Sequence, residues 1–195
     1  MGVAQVDTKT RILDTAQELI QRRGLNAMSF QDLSDAVGIR KASVHHHFAT
    51  KNDMVASLLV RYLENFDSAV DRVMSSRASG LNKLERYCNL FLETLQSGGQ
   101  DKVCLCGMLM VEMASLDDPS VVLVRQFVRS NGRRIEAMLR EGVEDGSIAI
   151  RGSVPGTARF LLAALEGSLL VARCEGGPKQ LAENIAQLLT LLKTQ

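Results

Sequence analysis

The stretch ILDTAQELIQRRGLNAMSFQDLSDAVGIRKASVHHHFATK, residues 12–51, decides the fold class of this 195-residue chain. Ile12, Leu13, Ala16, Leu19 and Ile20 recur at helical spacing from about Thr8 to Arg23, and Gly24 stands where that first helix should stop. Ser29 followed by Asp32 fits a capping-box start, and Phe30, Leu33, Ala36 and Val37 give a short second helix one buried face before Gly38 ends it. A third helix begins near Arg40 and reaches about Phe48. Two short helices joined by a few residues that include a glycine have the spacing of a helix-turn-helix.

The three consecutive histidines of this third helix admit several readings. At about 100° per residue, Val44, His47 and Phe48 fall on one side, while Ala42, Ser43, His45 and His46 fall on the other. The outer side is short and polar, with Arg40 and Lys41 at the helix start and Lys51 just past its end. Such a face suits the major groove: small Ala42 lets the backbone approach, Ser43, His45 and His46 can bond base edges, and the basic groups can meet phosphates. Metal binding prefers ligands at i and i+4, a spacing the run lacks. Catalysis needs a pocket and a nucleophile, which a helix face does not supply. Solvated surface histidines are the plainer alternative.

Beyond Lys51 the chain stays helical. A long helix runs from Asn52 towards Met74, SSRASG at 75–80 is a loop, and Leu84, Tyr87, Cys88, Phe91 and Leu95 carry a fifth helix that stops before Gly98 and Gly99. A sixth element starts near Val103, Pro119 opens a seventh helix reaching about Gly142, and DGSIAIRG at 145–152 is its exit turn. Residues 157–173 and 180–193 form a Leu- and Ala-rich helical hairpin, more apolar than a surface tail requires. With 3 prolines, 15 glycines and few runs of Val, Ile and Thr, the fold class expected is all-α.

The formal net charge is +1, but residues 1–51 hold 7 Lys or Arg against 5 Asp or Glu, a bias of +2 in the helix-turn-helix segment. The N-terminus does not read as a signal peptide, and no window is taken to approach the roughly 20 apolar residues of a membrane span, so no membrane partner and a cytoplasmic location are expected. The 4 cysteines are then thiols rather than a disulfide framework. No metal and no cofactor are expected.

Residues 11–51 resemble the TetR family of bacterial transcriptional regulators. The similarity lies in Ser29, Ala36, Gly38, Ile39, Lys41, Ser43, His47, Phe48 and Lys51, set out as a capped second helix, an A-x-x-x-G-[VI] turn, small residues, an aromatic and a Lys opening the next helix. Arg40 replaces the short N-cap usual there, and His45 stands where Tyr is common. The resemblance implies a three-helix DNA-binding domain at 1–51 and a helical effector-binding and dimerisation domain at 52–195, about nine helices in all. It implies phosphate anchoring by Ser29 and Lys51, base reading by Arg40, Lys41, Ala42, Ser43, His45 and His46, a homodimer through the last two helices, a small-molecule effector, and an inverted-repeat operator in double-stranded DNA.

KVCLCGMLMVEM, residues 102–113, is the second stretch of interest. In the family the sixth helix borders the pocket and relays binding to the DNA-binding domain, and Val103-Cys104-Leu105 is similar to the start of that helix in redox- or electrophile-sensing relatives. A helix N-terminus and the nearby Lys102 would lower the thiol pKa of Cys104. Against this, Cys104 and Cys106 are equally well read as small core residues. Tyr62, Phe66, Phe91, Met108, Glu112 and Phe127 complete the candidate pocket set, most of them also fitting an ordinary core. The expected function is a repressor released by a small molecule or by modification at Cys104, with no catalytic residue. A cysteine-dependent enzyme and an architectural DNA-binding protein are the alternatives.

Overall fold

Side chains that satisfy orphan backbone groups set the first helix ends. The Asp7 carboxylate accepts from Thr10 N at 3.0 Å, and Ser29 and Asp32 form the full capping box, each side chain bonding the other's backbone. Gly38 follows in the left-handed region, φ +74° and ψ 40°, which ends the second helix at little steric cost. The computed structural model describes residues 7–97 and 99–194. Over them run α1 Thr8–Arg23, α2 Phe30–Val37, α3 Lys41–His47, α4 Lys51–Met74, α5 Gly80–Gln96, α6 Leu105–Val111, α7 Asp118–Glu144, α8 Val154–Cys174 and α9 Gly177–Thr190. A 3-10 turn spans Met113–Ser115, and among the described residues the only extended pairing is an isolated bridge between Ile148 and Lys193. The all-α expectation holds.

The chain divides into two compact units. The first takes the chain through Leu63 together with Leu105–Val124. In it α1 packs on α2 and α6, and α2 on α3, burying Ile12, Ile20, Leu33, Val44, Phe48, Met54 and Leu58. Thus α6 belongs with the helix-turn-helix rather than with the later helices. The second unit takes Glu64–Cys104 and the chain from Arg125 onward. There α8 lies on α9, and both pack on α5 around Leu84, Leu95, Leu165, Leu169 and Leu181. Where α5 begins, a Cβ on Gly80 would stand 2.1 Å from Gly142 N, so only bare backbone lets it meet the end of α7.

One expectation about apolar length is corrected. Helix α8 has 21 residues and a mean hydropathy of 1.3 over its most apolar stretch, enough by length and composition to cross a membrane. The reason is that two of its faces are apolar. Ala158, Leu161, Leu165 and Leu169 are buried, while Phe160 is 62% and Val171 54% exposed.

Candidate functional site

Helix α3 is anchored by its inner face. Val44 is fully buried and Phe48 nearly so, which fixes the opposite face outward. Arg40, Lys41, Ala42, His45 and His46 are exposed there and Ser43 is half-buried, the division the helical wheel predicts. His45 is steadied edge-on against Phe30, ring centroids 5.0 Å apart, and the His46 and His47 rings meet edge-on at 5.4 Å. Arg40 occupies the N-cap without a side-chain cap bond, leaving its guanidinium outside the helix's own hydrogen bonding.

The two residues expected to anchor phosphates are engaged otherwise. The Ser29 hydroxyl donates to Asp32 Oδ2 at 2.6 Å and accepts from Asp32 N at 3.2 Å. Lys51 Nζ donates to the carbonyls of Leu25 and Met28, both at 2.5 Å, and burial pushes the ammonium below its ordinary pKa. Lys51 therefore closes the α1–α2 turn from one side. Glu112 closes it from another: its carboxylate accepts from Leu25 N at 2.5 Å and Asn26 N at 3.0 Å. Gly24 is required twice over, by its φ of +89° and because a Cβ there would lie 2.9 Å from Glu112 Oε1. Arg11 adds a 2.6 Å bond to the Val37 carbonyl, tying α1 to the end of α2.

The pocket set named from sequence divides between the units. Tyr62, Cys106, Met108 and Glu112 lie in the first, where Tyr62 and Cys106 are buried and Glu112 is bound to the turn just described. Phe66, Phe91, Phe127 and Cys104 lie in the second. Phe66 sits 6.3 Å from Tyr87, 6.2 Å from Phe91 and 5.3 Å from Phe127, centroid to centroid, with Tyr87 and Phe91 5.7 Å apart. These are spacings of favourable aromatic contact. The Tyr87 hydroxyl donates to Asn131 Oδ1 at 2.9 Å, and Asn131 Nδ2 donates to the Phe127 carbonyl at 2.9 Å.

Close enough to Tyr87 for its charge to be felt there is Glu166, which sequence reasoning missed. Burial raises its carboxyl to about pKa 7, partly offset by a hydrogen bond from the Cys104 thiol. Burial pushes Tyr87 well up, and the charge of Glu166 adds to that. Cys104 is 2% exposed and stands one residue before α6, hydrogen-bonded to Glu166. Cys88, also buried, is pushed up to about 12. The signal for Glu166 was present as a lone carboxylate in the run FLLAALEGSLLVA, residues 160–172. Among the described residues no group of three or more His, Cys, Asp or Glu side chains is arranged to hold a metal ion.

Comparison with known proteins places these features. Residues 12–58 match the family model described as bacterial regulatory proteins, tetR family, and residues 80–188 match that of the tetracyclin repressor-like C-terminal domain. The HTH-type transcriptional repressor KstR2 of Mycobacterium tuberculosis is 34% identical over 86 residues, 44% of this chain and 42% of that repressor, so the chain spans less than half the length of this curated relative. The HTH-type transcriptional repressor NemR of Escherichia coli is 22% identical over an alignment covering 96% of this chain and 95% of the repressor. A solved TetR-family transcriptional regulator from Agrobacterium tumefaciens has a TM-score of 0.89 at 28% identity, covering 95% of this chain and 97% of that one.

Proposed function

Because the chain belongs to the TetR family of bacterial regulatory proteins, we propose that it is a homodimeric transcriptional repressor that leaves its operator when a small molecule binds its second unit. TetR-family regulators bind DNA and act as dimers with small-molecule effectors, and the family and the relatives named above are transcriptional regulators, not enzymes. The observation that carries the proposal is the exposed face of α3: Arg40, Lys41, Ala42, Ser43, His45 and His46 turned outward by the buried anchors Val44 and Phe48. On this reading residues 1–51 are the DNA-binding domain and 52–195 the effector-binding and dimerisation domain.

The dimer is assigned to α8 and α9. Exposed Phe160, Leu170 and Val171 on α8 and Leu191 at the end of α9 support it, because exposed apolar side chains on one hairpin are stabilised by a second copy. A two-fold dimer would set two α3 helices about one DNA turn apart, which calls for an inverted-repeat operator. Ser29 keeps an exposed position suited to the DNA backbone, whereas Lys51 acts first by holding the α1–α2 turn. Reversible ligand binding is favoured over modification of Cys104, since a reagent would have to open the core to reach a thiol bonded to Glu166. An effector empties the operator only by favouring a dimer state whose α3 spacing no longer fits successive major grooves.

The test is selection of bound fragments from genomic DNA, followed by binding to the selected sites with His46→Ala and Ser43→Ala. Relaxed choice at particular base pairs is expected. Equal loss on every sequence would remove base reading from these side chains.

A further inference from the structure

Along α7, Arg125, Arg129 and Arg133 follow one another at i and i+4, which sets three positive charges along one side of the helix. Like charges at this spacing repel, and the helix carries them at a cost unless something neutralises them. Among the described residues no carboxylate pairs with any of the three. Glu136, the acidic residue nearest them along the helix, is taken by Arg140 at 2.5 Å. Arg134 differs from its neighbours in being bound to Asp67 and Asp71. A fourth unpaired arginine, Arg159, comes from the second turn of α8.

Arg129, Arg133 and Arg159 line one groove of about 360 Å3 between α7 and α8, whose apolar lining is Val128, Gly132, Pro155 and Ala158. Small-molecule sites fall in the range of about 300–1,000 Å3. Gly132 is an independent sign of an occupant. It stands inside a 27-residue helix, where glycine is less favourable than alanine because it loses more backbone freedom on folding. No positive φ calls for it, and a Cβ there would meet nothing within 4 Å, so neither backbone conformation nor packing accounts for it. What the missing side chain leaves is room in the groove. At about 100° per residue, Pro155 and Arg159 fall between the buried stripe of Ala158, Leu162 and Leu169 and the exposed stripe of Phe160 and Val171. The groove is therefore not the face of α8 assigned to a second copy.

We infer that this groove binds a soluble phosphate monoester with a short apolar body. Guanidinium groups present planar forks of N–H donors that match phosphate oxygens. A phosphate monoester brings about −1.5 to −2 charges at neutral pH, closer to what three unpaired arginines call for than the single charge of a carboxylate. Val128, Gly132, Pro155 and Ala158 receive the apolar body. The inference goes beyond the repressor reading and does not rest on it, since binding is measured without DNA.

The experiment is isothermal titration calorimetry of the full chain at pH 8 and fixed ionic strength with n-hexyl phosphate, compared with inorganic phosphate, n-hexanoate and n-hexanol. Hexyl phosphate should bind at least tenfold more tightly than each of the three. Arg129→Gln combined with Arg159→Gln should weaken it at least tenfold, whereas Arg125→Gln, outside the groove, should change it less than threefold. Gly132→Leu should also weaken it at least tenfold, because its side chain grows into open space and fills the groove while improving helix propensity. No preference over any one of the three comparison compounds overturns the inference. So does wild-type affinity in Gly132→Leu, and so does an equal loss in Arg125→Gln, which would reveal a diffuse basic surface. The wild-type comparison decides alone if a variant does not melt cooperatively. Cosedimentation with phosphatidylcholine vesicles carrying phosphatidic acid separates the two sources of such a head group. None is expected, and cosedimentation lost in the double arginine variant would overturn a soluble ligand in favour of a lipid.

Discussion

Lys51 shows how a residue's chemistry can be legible while its partner is not. A basic residue just past a recognition helix reads as a phosphate contact, yet its ammonium is shared between the Leu25 and Met28 carbonyls, brought to it by tertiary packing across more than 20 residues. Lys51→Ala should therefore lower unfolding stability by about 2 kcal/mol, the range for a lost charge-assisted bond, besides weakening DNA binding. Chemical denaturation checks this: unchanged stability with reduced DNA affinity would return Lys51 to the phosphates. Glu166 gives a second test. Its folded pKa of about 7 exceeds its ordinary 4.5, so the fold favours the protonated form, and the stability this contributes is full below about 4.5 and lost as pH rises through 7. The groups that act on it or feel its charge are Cys104 and Tyr87. Glu166→Gln should raise stability at pH 8 and flatten the profile between pH 4.5 and 7. Parallel profiles for wild type and variant would contradict the assignment.

At the scale of elements, sequence signals served best where they are local. The capping box at Ser29 and Asp32, the glycine stops at Gly24 and Gly38, and the apolar period of α1 place three helices close to where they stand, because each signal acts within one helical turn. The wheel of α3 was readable for the same reason. Helix α6 was less so: Cys104 precedes it rather than opening it, and its grip through Glu112 on the α1–α2 turn joins residues 86 and 87 apart in sequence, beyond any periodic pattern. The candidate pocket set mixed Tyr62, Cys106, Met108 and Glu112 with residues of the other unit, since helical stripes show which face is apolar but not which partner covers it. The α1–α2 turn is then a sensitive element. Glu112→Ala removes the acceptor of two amides and should cost about 1–3 kcal/mol. Gly24→Ala adds strain at φ +89° and meets any carboxylate in place, so its loss should be larger in wild type than in the Glu112→Ala background. Additive losses in that double-mutant cycle would show that Gly24 is needed for its backbone alone.

For the whole molecule, the apolar surface of the terminal hairpin bears on assembly. Helix α8 is long and apolar enough to cross a membrane, but its exposed Phe160 and Val171 share a helix with Leu161, Leu165 and Leu169 buried against neighbouring helices, and a second copy would cover the remainder. Phe160→Glu with Val171→Glu should leave a folded monomer by light scattering and reduce operator affinity at least a hundredfold, because each half-site would then be held by one α3 alone. A variant that remains dimeric would move the interface elsewhere. Reading of an inverted repeat by the outer face of α3 is measured by fluorescence anisotropy against the DNA upstream of the protein's own gene and against the same sequence scrambled. Salt-dependent binding at two protomers per site, at least a thousandfold tighter on the natural sequence, is expected. Equal affinity for both DNAs would contradict it.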